Sequence, residues 1–161
     1  MYPFVQFHAK ISGPADARRA TIHELPQFLY TFKGEAADGR LAADLLRTHI
    51  SELMRGGFEA PMGNSRPKVV DKKVLPITLT PEDGVIMCLY MHMTRGHQAP
   101  IDIRELAKRV RANTEGFYTA AEVTKLFTFP KRVDMALIRH CFAATGMTFD
   151  ISVFRSQHKS H

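Results

Sequence analysis

The stretch Asp102-Ile103-Arg104-Glu105-Leu106-Ala107-Lys108-Arg109-Val110-Arg111 decides how the second half of this 161-residue chain is read. Asp102 followed three residues later by Glu105 has the spacing of a capping box, with Asp as the capping residue, so a helix is predicted to open here. Ile103, Leu106, Ala107 and Val110 recur at helical spacing and form its inward stripe, leaving Lys108, Arg109 and Arg111 outside or on the flank.

Upstream, Thr80-Pro81-Glu82-Asp83 is a second helix opening. Thr can cap, Pro is tolerated at the first helical position, and acids suit the positive end of the helix dipole. That helix runs to about Arg95 on a stripe of Val85, Ile86, Leu89, Tyr90 and Met93, and Gly96 ends it. Downstream, Thr119-Ala120-Ala121-Glu122 matches the capping box again, with Val123, Leu126 and Phe127 inward. Pro130 restarts the chain into a further helix carrying Val133, Leu137, Ile138, Cys141 and Phe142, closed by Gly146.

The first third reads differently. Val5, Phe7, Ala9 and Ile11 alternate at period two and predict a strand, ended by Ser12-Gly13-Pro14. A short polar stretch with Asp16, Arg18 and Arg19 follows, then Pro26 leads into the aromatic-rich Gln27–Phe32, a second strand. Leu41, Leu45, Leu46, Ile50, Leu53 and Met54 mark a helix stopped by Gly56-Gly57. Residues 59–68 read as a loop, and Val69–Leu79, interrupted by Pro76, suits an edge strand or an extended approach to the next helix. Thr148–Phe154 alternates as a terminal strand, and 155–161 as a fraying tail. The fold expected is α+β: a small sheet from the N-terminal strands and the C-terminal strand, packed with four to five helices. One domain over 1–154 accommodates it, divisible into 1–58, a connecting segment 59–79, and 80–154.

With 45% apolar residues and no long polar tract, the chain can build a core without disulfides. Cys88 and Cys141 both lie in apolar periodic segments, the setting of buried free thiols in a reducing compartment. No apolar run approaches the length of a membrane span and residues 1–6 lack a signal-peptide pattern, so a cytoplasmic protein with no membrane partner is expected.

The net charge of +6 favours anionic partners. Its densest window runs from 104 to 139, where Arg104, Lys108, Arg109, Arg111, Lys125, Lys131, Arg132 and Arg139 stand against Glu105, Glu115, Glu122 and Asp134. In this window a brace helix at 119–127, a turn at Thr128-Phe129-Pro130 and a helix opened by Lys131-Arg132 would present cations and backbone N–H groups to phosphates or base edges. Arg139 would follow Arg132 on the same side, about two turns on.

At these residues the chain resembles helix-turn-helix or winged-helix DNA-binding domains, over roughly 80–154. The resemblance implies a nucleic-acid partner, DNA first, a regulatory role, and a homodimer as one compatible state. Three other readings stay open. The eight basic residues also suit solvated faces of ordinary core helices. A Met-rich helix over 85–93 or the aromatic strands could dock a protein partner. A small enzyme drawing on His23, Asp44 and His49 has no signature spacing to support it. No cofactor is implied, and Cys88 with His92 and His140 with Cys141 make a poor zinc set, because adjacent residues point about 100° apart on a helix.

Overall fold

The computed structural model describes residues 6–33, 39–63, 74–95 and 99–147. Four strands and five helices follow in the order β1 (Gln6–Ser12), β2 (Arg18–Ile22), β3 (Leu25–Phe32), α1 (Gly39–Arg55), β4 (Val74–Thr78), α2 (Pro81–Arg95), α3 (Ile103–Asn113), α4 (Ala120–Leu126) and α5 (Met135–Ala144). The architecture is α+β, with one antiparallel sheet in the order β3-β2-β1-β4.

One strand departs from the sequence reading. The polar stretch around Arg18 and Arg19 is β2, the second inner strand of the sheet, paired with β1 and β3. Its alternation escapes notice because only Ala20 and Ile22 turn inward, and both are short runs of signal among polar residues. β4 comes from the Val69–Leu79 segment and is the edge strand that its sequence allows, with Pro76 opposite His8, where a missing N–H is tolerated. The predicted C-terminal strand lies outside the described residues.

The sheet's inner face and the helices share one core. Phe7, Ala9, Ala20, Ile22 and Phe28 join Leu46, Ile50 and Met54 of α1, and the same cluster continues through Ile86, Met87 and Leu89 to Leu106, Val123, Phe127 and Ile138. Phe28 and Tyr30 pack on α1, the Phe28 ring edge-on to His49 at 5.4 Å, so the aromatic strand faces the helix as hydrophobic filling. Burial raises the Tyr30 phenol above its ordinary range, with Glu52 adding to it. On the outer face His8 is buried, donating its backbone N–H to the Glu24 carboxylate at 2.9 Å while its Nδ1 meets the other oxygen.

α1 ends in a Schellman motif. Gly57 takes φ +77°, Gly57 N–H donates to Met54 and Phe58 N–H to Leu53, which satisfies the last carbonyls. Ser51 is the exception to a well-satisfied interior, since its buried hydroxyl has no hydrogen-bond partner among the described residues. Ser51→Ala removes an unmet polar group and improves helix propensity, so it is expected to stabilise the protein by about 1 kcal/mol, read as a higher urea midpoint at unchanged slope.

The helical half corrects one part of the DNA-binding geometry. α4 opens at the Thr119–Glu122 capping box as expected. Lys131 and Arg132, however, do not open a helix. α5 starts at Met135 with Asp134 as its cap, whose Oδ1 accepts from Ala136 and Leu137 N–H at 2.9 and 3.3 Å. Eight residues, Phe127 to Asp134, therefore separate α4 from α5, where a helix-turn-helix uses three or four. Val133 stands before the helix and not within its stripe, and Arg132 and Arg139 are not two turns apart on one face.

Candidate nucleic-acid interface

α3 packs on both α4 and α5, and this orients its outer side. Leu106, Ala107 and Val110 are buried. Arg104, Lys108 and Arg111, at i, i+4 and i+7, fall within about 60° of arc on one flank of the helix. All three are exposed, and none forms an ion pair with a described residue. Arg109 lies on the other flank, where its Nε donates to Glu105 at 3.0 Å, so its charge is partly matched within its own helix.

A groove of about 990 Å³ opens beside this stripe. Met54, Arg55 and Gly57 at the end of α1, Tyr90 and Thr94 of α2, Pro100–Arg104, Ala107 of α3, and Ala120 and Thr124 of α4 line it. Buried Met54, Tyr90 and Ala107 give it part of its apolar surface. Among the described residues that line it, Arg55 and Arg104 are the cations and Asp102 is the carboxylate, which accepts from Glu105 N–H at 2.7 Å. Tyr90 donates its hydroxyl to the Phe58 carbonyl at 2.6 Å and so ties the segment after α1 to the groove wall.

The other basic residues lie elsewhere. Lys131 borders a second cleft of about 370 Å³ with Arg47, Thr80, Glu82, Pro130, Val133 and Met135. This cleft adjoins the first residues of α2, whereas the larger groove adjoins its last turns, so the two stand about 18 Å apart along that helix. Lys125 occupies the opposite flank of α4 from Ala120 and Thr124, which line the groove. Arg139 shares the outer face of α5 with Ala136, His140 and Ala143, all exposed. Of the eight residues, Arg104, Lys108 and Arg111 make a stripe on one flank of α3, Arg109 lies on its other flank, Lys125 and Arg139 belong to α4 and α5, and Lys131 and Arg132 precede α5.

Long-range contacts that no local spacing announces tie α1 to the helical half. Arg47 grips the buried Asp83 carboxylate with Nε at 2.8 Å and Nη2 at 3.2 Å, and the same Nη2 donates to the Phe129 carbonyl at 2.9 Å. Its guanidinium also lies 5.8 Å from the centre of the Phe129 ring. Phe129 is buried with φ +53°, a backbone state unusual for a bulky residue and usually left to Gly. Three segments, α1, the start of α2 and the α4–α5 connection, meet at this node. Tyr118 adds a second tie, donating its hydroxyl to Asp134 at 2.9 Å; burial first, then that hydrogen bond, raises its pKa.

The thiols and histidines are dispersed among the described residues. Cys141 is fully buried in α5, and burial pushes its pKa up to about 12; half-buried Cys88 is raised for the same reason. Because the folded state favours the protonated Cys141 thiol, its contribution is complete below pH 9 and is lost as pH rises from 9 to 12. Three units at about 1.4 kcal/mol each make this on the order of 4 kcal/mol. Comparing Cys141→Ala with the parent in urea across that range should show a shallower loss of stability for the variant. Among the described residues no three His, Cys, Asp or Glu side chains converge as metal ligands, and His23, Asp44 and His49 line neither cleft.

The fold and site define the class only as an α+β domain with an antiparallel sheet, a helical half and a cationic stripe beside a groove. No protein-family model matches the chain, and no curated protein matches it either. Among the described residues no helix is long and apolar enough to cross a membrane.

Proposed function

We propose that this is a non-enzymatic nucleic-acid-binding accessory or regulatory protein of the cytoplasm, working through the α3 flank. The observation that carries this reading is the row Arg104, Lys108 and Arg111, three exposed cations on one face without a carboxylate partner among the described residues. Spaced over about 10 Å of helix, they suit successive phosphates, where cations gain by releasing condensed counterions. The net charge of +6 adds long-range attraction. The long α4–α5 connection favours backbone contact by α3 over insertion of α5 as a recognition helix.

Fluorescence anisotropy with labelled duplex and single-stranded oligonucleotides at 50 and 200 mM salt tests it. Binding that weakens at least tenfold between those salts supports the proposal. Salt-insensitive binding, or none to either probe, sinks it.

A further inference from the structure

β3 closes one side of the sheet, and among the described residues no further strand pairs with it. A free edge offers a row of backbone N–H and C=O groups to any other strand, and soluble proteins blunt such edges with charges, prolines or bulges. The opposite edge, β4, follows that rule, being short and carrying Pro76 at its middle. β3 uses such devices at its start alone. Pro26 lies there, and the irregular register beside Thr21 and Ile22 falls between Leu25 and Leu29. From Leu29 to Phe32 the strand runs regularly against Arg18–Thr21, with no charged residue and no proline.

Apolar surface is left uncovered on both sides of this stretch. Leu29 faces solvent and is 60% exposed. On the helix side Tyr30 and Phe32 pack against the core but stay only half-buried, whereas Phe28 is fully buried. A further strand laid along β3 would cover all three and meet the outward backbone groups. A strand that pairs antiparallel with its own copy about a two-fold axis sets each residue opposite one of the same strand, so any charge it bore would lie close to its like. Leu29–Phe32 has none to repel. An axis at Tyr30 puts Leu29 of each copy opposite Thr31 of the other on the solvent side, and the two Tyr30 side chains opposite each other on the helix side. The net charge of +6 opposes self-association at long range, which leaves an uncharged edge as the place where two copies can approach closely.

We infer that two copies of this chain pair antiparallel through Leu29–Phe32 of β3, joining their sheets into one continuous sheet. The contact is short, so the dimer is weak, with a dissociation constant on the order of 10–100 µM. It is independent of the nucleic-acid reading, since the paired edge belongs to the sheet and the cationic stripe to α3.

Sedimentation velocity of the full chain from about 5 to 500 µM, without nucleic acid, tests the pairing. The parent should pass from monomer to dimer over that range. Leu29→Lys sets a charge on the paired edge of each copy and should raise the dissociation constant roughly 10- to 100-fold. Thr78→Lys adds the same charge to the exposed face of β4, at the opposite edge, and should change it less than about twofold. Thermal unfolding of Leu29→Lys at about 5 µM should match that of the parent, because the Leu29 side chain stands largely in solvent. A parent that stays monomeric throughout overturns the inference. So does a dimer that Leu29→Lys leaves intact, or one that Thr78→Lys weakens as much, since the contact then lies elsewhere. Species that grow beyond the dimer also overturn it, because a two-fold pairing of one edge closes on itself.

Discussion

Arg47→Met is expected to destabilise the protein by about 3–5 kcal/mol, a loss large enough to leave many domains of this size substantially unfolded. The reason lies in what stays behind. Asp83 is 1% exposed and keeps only the Thr80 N–H, at 3.3 Å, once both guanidinium contacts are gone. The Phe129 carbonyl loses its Arg47 donor too, at a residue whose φ of +53° needs support from its surroundings. A buried carboxylate stripped of its partner costs more than the ion pair contributed, so Arg47→Met combined with Asp83→Asn should be less destabilised than the sum of the two single variants. Urea unfolding of the four proteins measures the coupling. Strict additivity, or a loss below about 1 kcal/mol for Arg47→Met, would show that the node does not hold these three segments together.

The second large effect concerns binding. Replacing Arg104, Lys108 and Arg111 together by Ala removes three phosphate contacts, each worth about 0.7–0.9 of a decade at 0.1 M salt, so affinity should fall roughly 100- to 500-fold. The salt slope should flatten by about 2–3 at the same time. All three side chains are exposed and unpaired among the described residues, so the folded stability should move by less than about 0.5 kcal/mol each. A matched triple variant at Lys125, Lys131 and Arg139, which stand apart from the stripe, should lose far less. Equal losses in the two triples would mean that overall charge, and not the α3 flank, governs association.

Much of the helical half is legible in the residues themselves. Thr80, Asp102 and Thr119 each begin a helix because a short polar side chain can accept a backbone N–H of the first turn; Thr119 and Glu122 even satisfy each other reciprocally. Gly57 and Gly146 end helices because they reach positive φ without a Cβ penalty. The stripes on α1, α2 and α3 predict which faces are buried, since period 3.6 is a property of the local chain. Even the flank shared by Arg104, Lys108 and Arg111 follows from their spacing.

Other features depend on contacts between residues far apart in the chain. Lys131 and Arg132 read as a helix opening because Pro130 precedes them, yet Asp134 offers a better cap four residues later, and Tyr118 and Arg47 hold the intervening segment from outside. β2 is recognisable only once β1 and β3 supply its ladder. The groove is likewise a product of assembly: Arg55 and Arg104 are 49 positions apart, and nothing in either neighbourhood marks them as lining one groove. Local sequence determined where helices start, stop and turn inward, because caps and periodicity act over a few residues. Only the tertiary structure decided which cations share a surface and which buried charge is paired, because those follow from the packing of α1, α2 and α3 and from the desolvation that packing imposes.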